Sequence, residues 1–180
     1  MKKILSFILL GATSLVASAQ ISSLDELSTD KAYTIYNPFY TTYAVYNAEK
    51  STSLVWAAGM TASDKTIADQ SYTTPFNAAD PSSSWMIVPF NEQWFVYNLG
   101  AKKFMAVGHT AANSSTASAK LQDTPVAVEF TSNGNGGFHL RSYDGNQNFL
   151  CAAPQLAYPI SIWTSADNGS TWQIEENAQV

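Results

Sequence analysis

Two polar residues on a single apolar run have the chemistry of a binding surface. His139 and Arg141 occupy alternate positions of that run, so in a strand they point away from its apolar side chains. Arginine presents a fork of donors that suits hydroxyls and carboxylates. Asp144-Gly145 follows, a pair typical of a hairpin turn. Two interpretations stay open: a binding face that includes Arg141 and Asp144, or a solvated strand that ends in a turn.

The sequence carries no motif of an active site. His109 and His139 are far apart and show no metal-ligand spacing. Gly-x-Ser-x-Gly, a phosphate-binding glycine loop and His-Glu-x-x-His are all missing from the sequence. A pair of acids for glycoside hydrolysis is a matter of three-dimensional separation, which a sequence leaves open. We therefore expect a protein that is not an enzyme and needs no metal or cofactor.

The charge balance argues against two classes of partner. The formal net charge is −5, from 14 acidic and 9 basic residues, and no basic run occurs. Nucleic acids and anionic membrane surfaces select clustered positive charge. We therefore expect neither as a partner.

The first 19 residues have the pattern of a secretory signal peptide. Lys2 and Lys3 precede an apolar stretch, and Ala17-Ser18-Ala19 supplies a small-x-small cleavage pattern. The stretch is too short for a comfortable membrane span. No cysteine stands directly after it, so a lipid anchor is not indicated. We expect cleavage after Ala19 and a secreted or periplasmic protein without membrane insertion. An N-terminal segment (20–30) with one short helical turn capped by Ser22 or Ser23 would precede the folded domain (31–180).

Composition and patterning predict an all-β domain. Nine Tyr, nine Phe and five Trp residues favour half-buried pleated surfaces. Short apolar runs recur, separated by Gly, Asn, Ser and Pro. The single cysteine, Cys151, lies in one of these runs and is expected to be buried.

Internal similarity suggests a threefold repeat. The run 43–47 (Tyr-Ala-Val-Tyr-Asn) resembles 94–98 (Trp-Phe-Val-Tyr-Asn), and 137–142 is a weaker copy. Three units of about 45–50 residues, each of four short strands, describe a β-trefoil. A β-sandwich is the alternative fold. Trp85 and Trp172, each two residues before an isoleucine, are expected in the core.

Residues near the C-terminus carry a family resemblance. The strand-like run 160–163 and the segment 167–172 resemble the third and fourth strands of a ricin-type β-trefoil lectin unit. The run 94–104 is similar to trefoil modules in secreted proteins of gut Bacteroidetes. The closing Gln-x-Trp of the ricin-type unit is Ser170-Thr171-Trp172 here.

The resemblance implies one candidate sugar site. Trp163 takes the position of the ring that stacks on a pyranose, and Asp167 and Asn168 lie in the loop that binds hydroxyls. Tyr158 is near enough in sequence to add a wall. The family's carboxylate after the second strand is missing, so at most one site of this type is expected.

Two functions follow as hypotheses. The first is a secreted, non-catalytic, lectin-like module that binds a glycan or polysaccharide. The alternative is a protein-interaction or inhibitor-type trefoil, presenting loops such as 111–120 to a protein partner. An exposed Trp163 in a concave site would favour sugar, and a buried one beside a broad apolar patch would favour a protein.

Overall fold

The computed structural model describes residues 18–59, 74–108, 118–143, 148–152 and 160–180. Within these ranges the chain forms thirteen short β-strands and three 3-10 turns. The strands are β1 (Gln20–Ile21), β2 (Tyr33–Asn37), β3 (Thr42–Asn47), β4 (Ser51–Ala58), β5 (Trp85–Phe90), β6 (Gln93–Asn98), β7 (Lys103–Ala106), β8 (Lys120–Gln122), β9 (Val128–Ser132), β10 (Phe138–Ser142), β11 (Phe149–Ala152), β12 (Ile160–Trp163) and β13 (Gln173–Glu176). The turns are Leu24–Glu26, Pro81–Ser83 and Asn168–Ser170.

Six of the strands close into a barrel. The hairpin pairs β5–β6 and β9–β10 and the pair β13–β2 are antiparallel. Shorter contacts join β2 to β5 and β6 to β9. A bridge joins Phe138 of β10 to Trp172, which directly precedes β13. Each barrel strand therefore has a neighbour on both sides, which removes exposed edges.

Three further hairpins cap one end of the barrel. They are β3–β4, β7–β8 and β11–β12. Leu54 of β4 faces Lys120 of β8, Ser118 bridges Ser161 of β12, and β12 also contacts β4. A six-stranded barrel under a triangle of hairpins is a β-trefoil. The predicted trefoil is confirmed, and the sandwich alternative is not what the chain forms.

Trp85 and Trp172 lie in the core, as predicted. Unit one comprises β2–β5, unit two β6–β9 and unit three β10–β13. Trp85 and Trp172 are both 0% exposed; Trp85 begins β5, and Trp172 directly precedes β13, so each stands at the start of the fourth strand of its unit. The indole Nε1 of Trp85 donates to the carbonyl oxygen of Ala44 and that of Trp172 to Leu150, both at 2.8 Å. Val128, also fully buried, holds this position in the second unit. Each tryptophan thus ties the barrel to a cap hairpin.

The predicted match between residues 43–47 and 94–98 is wrong by one strand of the repeat. Residues 43–47 form β3, the second strand of unit one, whereas 94–98 lie in β6, the first strand of unit two. The true counterpart of 94–98 is β2, which ends in Asn37 as β6 ends in Asn98. Both asparagines donate from Nδ2 to carbonyls of the 3-10 turn before a fourth strand. Two aromatic residues three positions apart, the second directly before Asn, occur in both strand types, which explains the error.

The N-terminal segment packs along the trefoil. Gln20 and Ile21 pair with β13. The 3-10 turn that follows has Ser23 as its N-cap, and Ser23 is one of the two residues predicted for that role. Glu26 completes a capping box with Ser23. The predicted signal peptide lies outside the described residues except for Ser18 and Ala19. In the part of the chain that the structure describes, no helix has the length and apolar character needed to cross a membrane.

Candidate functional site

Each trefoil unit presents a row of four facing residues on its outer surface. A row runs from the last strand of the preceding unit across the first, second and third strands of the unit itself. Residues directly opposite in antiparallel strands share a face, so each row is a line of neighbouring side chains. The first row is Gln173, Tyr36, Tyr43 and Ala58, of which Ala58 is buried beneath Tyr43 and Phe76. The second row is Met86, Tyr97, Phe104 and Gln122. The third row is Glu129, Arg141, Phe149 and Trp163.

The third row unites two candidates that lie far apart in sequence. Trp163 ends β12 and pairs with Phe149, which in turn pairs with Arg141. The residues that flank these positions, such as Leu150 and Ile162, are buried in the core. Strand alternation therefore turns the row outward, and all four of its side chains are partly exposed.

An ion pair forms the polar half of the third row. Arg141 Nη2 lies 2.6 Å from Glu129 Oε1, with side chains 26% and 34% exposed. Arg141 Nε is buried and has no hydrogen-bond partner among the described residues. The arginine therefore retains unused donor capacity beside its carboxylate.

His139 joins this surface from the same strand. Its ring meets that of Phe149 edge to face, with centroids 5.7 Å apart. His139 Nδ1 lies 3.0 Å from the carbonyl oxygen of Ser170, which fixes the ring against the last 3-10 turn. Phe149, which links His139, Arg141 and Trp163, was not among the predicted site residues. Its sequence signal is only that of a strand-forming aromatic.

Asp167 and Asn168 lie on the 3-10 turn that covers Cys151. Asp167 Oδ1 accepts the N–H of Ser170 and so caps the turn, while the Asn168 carbonyl accepts from Asn37 Nδ2. Both residues are exposed. The structure gives them these roles in shaping the turn, and a role toward ligand stays a prediction.

Three predicted elements fall outside the described residues. They are Tyr158, Asp144 and most of the loop 111–120, of which 118–120 are described. The expected burial of Cys151 is confirmed: it is 6% exposed, and burial raises the pKa of its thiol to about 11. Within the described ranges, no group of three His, Cys, Asp or Glu side chains is placed to hold a metal ion.

The other two rows have different chemistry. The first is aromatic and polar: Tyr43 stacks on Phe76 with centroids 3.6 Å apart and planes at 11°, and Tyr36 lies 4.6 Å from Tyr43. The second is apolar, and it borders a depression of about 420 Å³ that includes Phe90 and Pro125. Threefold architecture therefore carries three unlike surfaces.

The sequence matches no protein-family model and no curated protein. Solved structures do share its architecture. The chain is similar to a Macrolepiota procera ricin B-like lectin in complex with lactose, with a TM-score of 0.61, 14% identity, and 83% of this chain and 97% of the lectin covered. It is also similar to the Rhizoctonia solani agglutinin, with a TM-score of 0.56, 14% identity, and 81% of this chain and 94% of the agglutinin covered. The designed threefold-symmetric protein ThreeFoil has a TM-score of 0.57 and 12% identity, with 80% of this chain and 97% of ThreeFoil covered.

The fold is a β-trefoil. At these identities the likeness extends to the fold alone. The barrel, the three cap hairpins and the threefold order of a β-trefoil therefore belong to this chain, while the chemistry of each row is its own.

Proposed function

We propose that the protein is a secreted, non-catalytic module that binds carbohydrate at the third row. The observation that carries the proposal is the register that sets Trp163 and Phe149 beside the Arg141–Glu129 ion pair. A pyranose ring presents C–H groups on one face and hydroxyls around its rim. Ligand sites commonly combine apolar walls with a few placed polar groups, and this row offers both.

The polar half suits hydroxyl recognition. Glu129 accepts hydrogen bonds, and Arg141 donates them from a planar fork. Because the two groups already hold each other at 2.6 Å, they are oriented before a ligand arrives. Asp167 and Asn168, on the 3-10 turn that packs against β11, are proposed as additional hydroxyl ligands.

Two further features support the lectin-like proposal. The Macrolepiota procera protein with the same fold is a lectin in complex with lactose. The first 19 residues have a signal-peptide pattern, like the secreted Bacteroidetes modules that residues 94–104 resemble. Secretion, and the absence of catalysis, are part of the proposal.

The proposal predicts weak binding at a single site that depends on Trp163. Aromatic stacking contributes about 0.5–1.5 kcal/mol beyond area burial, so Trp163→Ala should weaken binding about tenfold. A glycan array, followed by calorimetry on the strongest sugar, would measure this. Phe39→Ala is the matched control, because Phe39 is an exposed aromatic outside the rows.

Each outcome decides something. Sugar binding lost in Trp163→Ala and kept in Phe39→Ala supports the site. Binding that survives Trp163→Ala and Arg141→Ala contradicts the third row as the site. Silence across a broad array contradicts the lectin-like function for those sugars.

A protein-interaction trefoil is the second candidate function. The outer face of the β5–β6 hairpin is apolar and includes Phe90, which is 64% exposed. Large exposed apolar patches often mark interaction surfaces. Capture of a defined protein that is lost in Phe90→Ser but kept in Trp163→Ala would favour this candidate.

A further inference from the structure

We propose that a small cavity between the third and first units binds the ammonium group of a small organic ligand. The cavity has a volume of about 140 Å³ and is separate from the third row. Its walls are strands β2, β3 and β13, residues 76–78 and the C-terminal residues, together with Ser18, which the expected cleavage after Ala19 would remove. The lining residues used in the argument are Thr34, Tyr43, Phe76, Glu175 and Glu176.

Among the side chains that the structure describes, Glu175 has no counter-charge. Its neighbour Glu176 pairs with Lys31, with Oε2 and Nζ 2.7 Å apart. Glu175 makes no ion pair or hydrogen bond among the described residues, and none of the described residues that line the cavity is Lys or Arg. Partial burial raises the pKa of Glu175, because desolvation penalises its charged form. A bound cation would offset that penalty.

Aromatic rings surround the carboxyl. The Tyr43–Phe76 stack forms one wall, and Tyr36 packs on the far side of this cluster. Such walls exclude water and lower the local dielectric, so an opposite charge inside interacts more strongly than it would in solvent. The site therefore favours a charged ligand group over a neutral hydroxyl.

Thr34 is a second, independent observation that points to a ligand. It is 5% exposed, lies opposite Glu175 in the ladder, and lines the cavity. Its Oγ1 has no hydrogen-bond partner among the described residues. A buried hydroxyl without a partner is costly, and an ammonium N–H could donate to it after a side-chain rotation. An ammonium group matches both Glu175 and Thr34, because it is a donor that carries positive charge.

The probes are glucosamine, N-acetylglucosamine and n-butylammonium, titrated into the purified protein by NMR and calorimetry. Glucosamine should bind about tenfold more tightly than N-acetylglucosamine, which has the same ring without the charge. Comparison of glucosamine with n-butylammonium distinguishes an amino sugar from an aliphatic amine as the source of the ammonium. Binding should weaken as salt is raised.

Matched variants locate the site. Glu175→Gln should weaken glucosamine binding about tenfold, whereas Glu176→Gln, whose carboxylate is already paired, should change it little. Thr34→Val should weaken binding without lowering thermal stability, because it removes an unsatisfied hydroxyl at constant shape. Trp163→Ala should leave amine binding intact, which separates this proposal from the third-row glycan site.

Three results would overturn the proposal. They are equal binding of glucosamine and N-acetylglucosamine, unchanged amine binding in a folded Glu175→Gln variant, and no binding of any amine at millimolar concentration. If no amine binds, the candidate counter-charge is the α-amino group that cleavage after Ala19 would leave on Gln20, because Gln20 faces Glu175 in the ladder. NMR titration of that amine would test it.

Discussion

Replacement of Trp172 by phenylalanine tests how the barrel is tied to its cap. Trp172 is fully buried, and its Nε1 donates to the Leu150 carbonyl at 2.8 Å. Phenylalanine keeps an aromatic ring in the core but removes the donor and part of the indole volume. The barrel and the hairpin β11–β12 then lose one direct link.

The loss of unfolding free energy in Trp172→Phe has two contributions. Loss of a neutral buried hydrogen bond costs about 1 kcal/mol. The space left by the smaller ring adds about 1–2 kcal/mol, since a packed core relaxes only in part. The free energy of unfolding should therefore fall by about 2–3 kcal/mol. Trp85→Phe should cost the same, because its Nε1 donates to Ala44 with the same 2.8 Å geometry.

Urea unfolding followed by circular dichroism measures these values. The control is Trp163→Phe, because Trp163 is partly exposed at a strand end and should cost under about 1 kcal/mol. A cost for Trp172→Phe no larger than that of the control would refute the reasoning. So would a large difference between Trp172→Phe and Trp85→Phe, since the threefold architecture gives both tryptophans one role.

Other predictions concern single side chains. Gly169→Ala should lower the melting temperature, because an added Cβ would lie 2.9 Å from the Ala152 carbonyl oxygen. Cys151, with its pKa raised to about 11, should resist alkylation at pH 8 until urea unfolds the chain, as mass spectrometry would show. Burial raises the pKa of Glu175, so its ionised form disfavours folding above the unfolded value of about 4.3. Glu175→Gln should therefore raise the melting temperature at pH 7 and not at pH 3. Asp167→Asn should keep the turn's cap, and a loss of sugar affinity in that folded variant would show that the carboxylate itself binds ligand.

The core was predictable because its signals are local. Trp85, Ile87, Trp172 and Ile174 alternate along their own strands, and all four are fully buried. The pattern needs no knowledge of which strand lies next to which. The phase error in the first repeat arose where local patterns coincide: Tyr-Ala-Val-Tyr-Asn satisfies a second strand as well as a first.

The third row was only partly predictable, because its composition is set by register between strands. Trp163 and Arg141 were candidates for separate reasons, and nothing in their spacing places them on one line. Phe149 joins them only through its two pairings. The Glu129–Arg141 contact likewise depends on the register of β9 with β10. The sequence alone does not separate a capping role from a ligand-binding role for Asp167, since one carboxylate can cap a 3-10 turn and also face solvent.

Barrel closure constrains the inner faces of the three units far more than their outer rows. Inner positions must fill one shared core, so tryptophan, valine and tryptophan occupy the equivalent sites Trp85, Val128 and Trp172. No such shared volume limits the rows, which face solvent at separate places around the barrel. One row can therefore become aromatic and polar, another apolar, and the third an ion pair beside aromatic rings, at little cost to folding. It follows that substitutions in one row should alter one binding activity and leave the other two surfaces intact, which makes the rows separable by mutation.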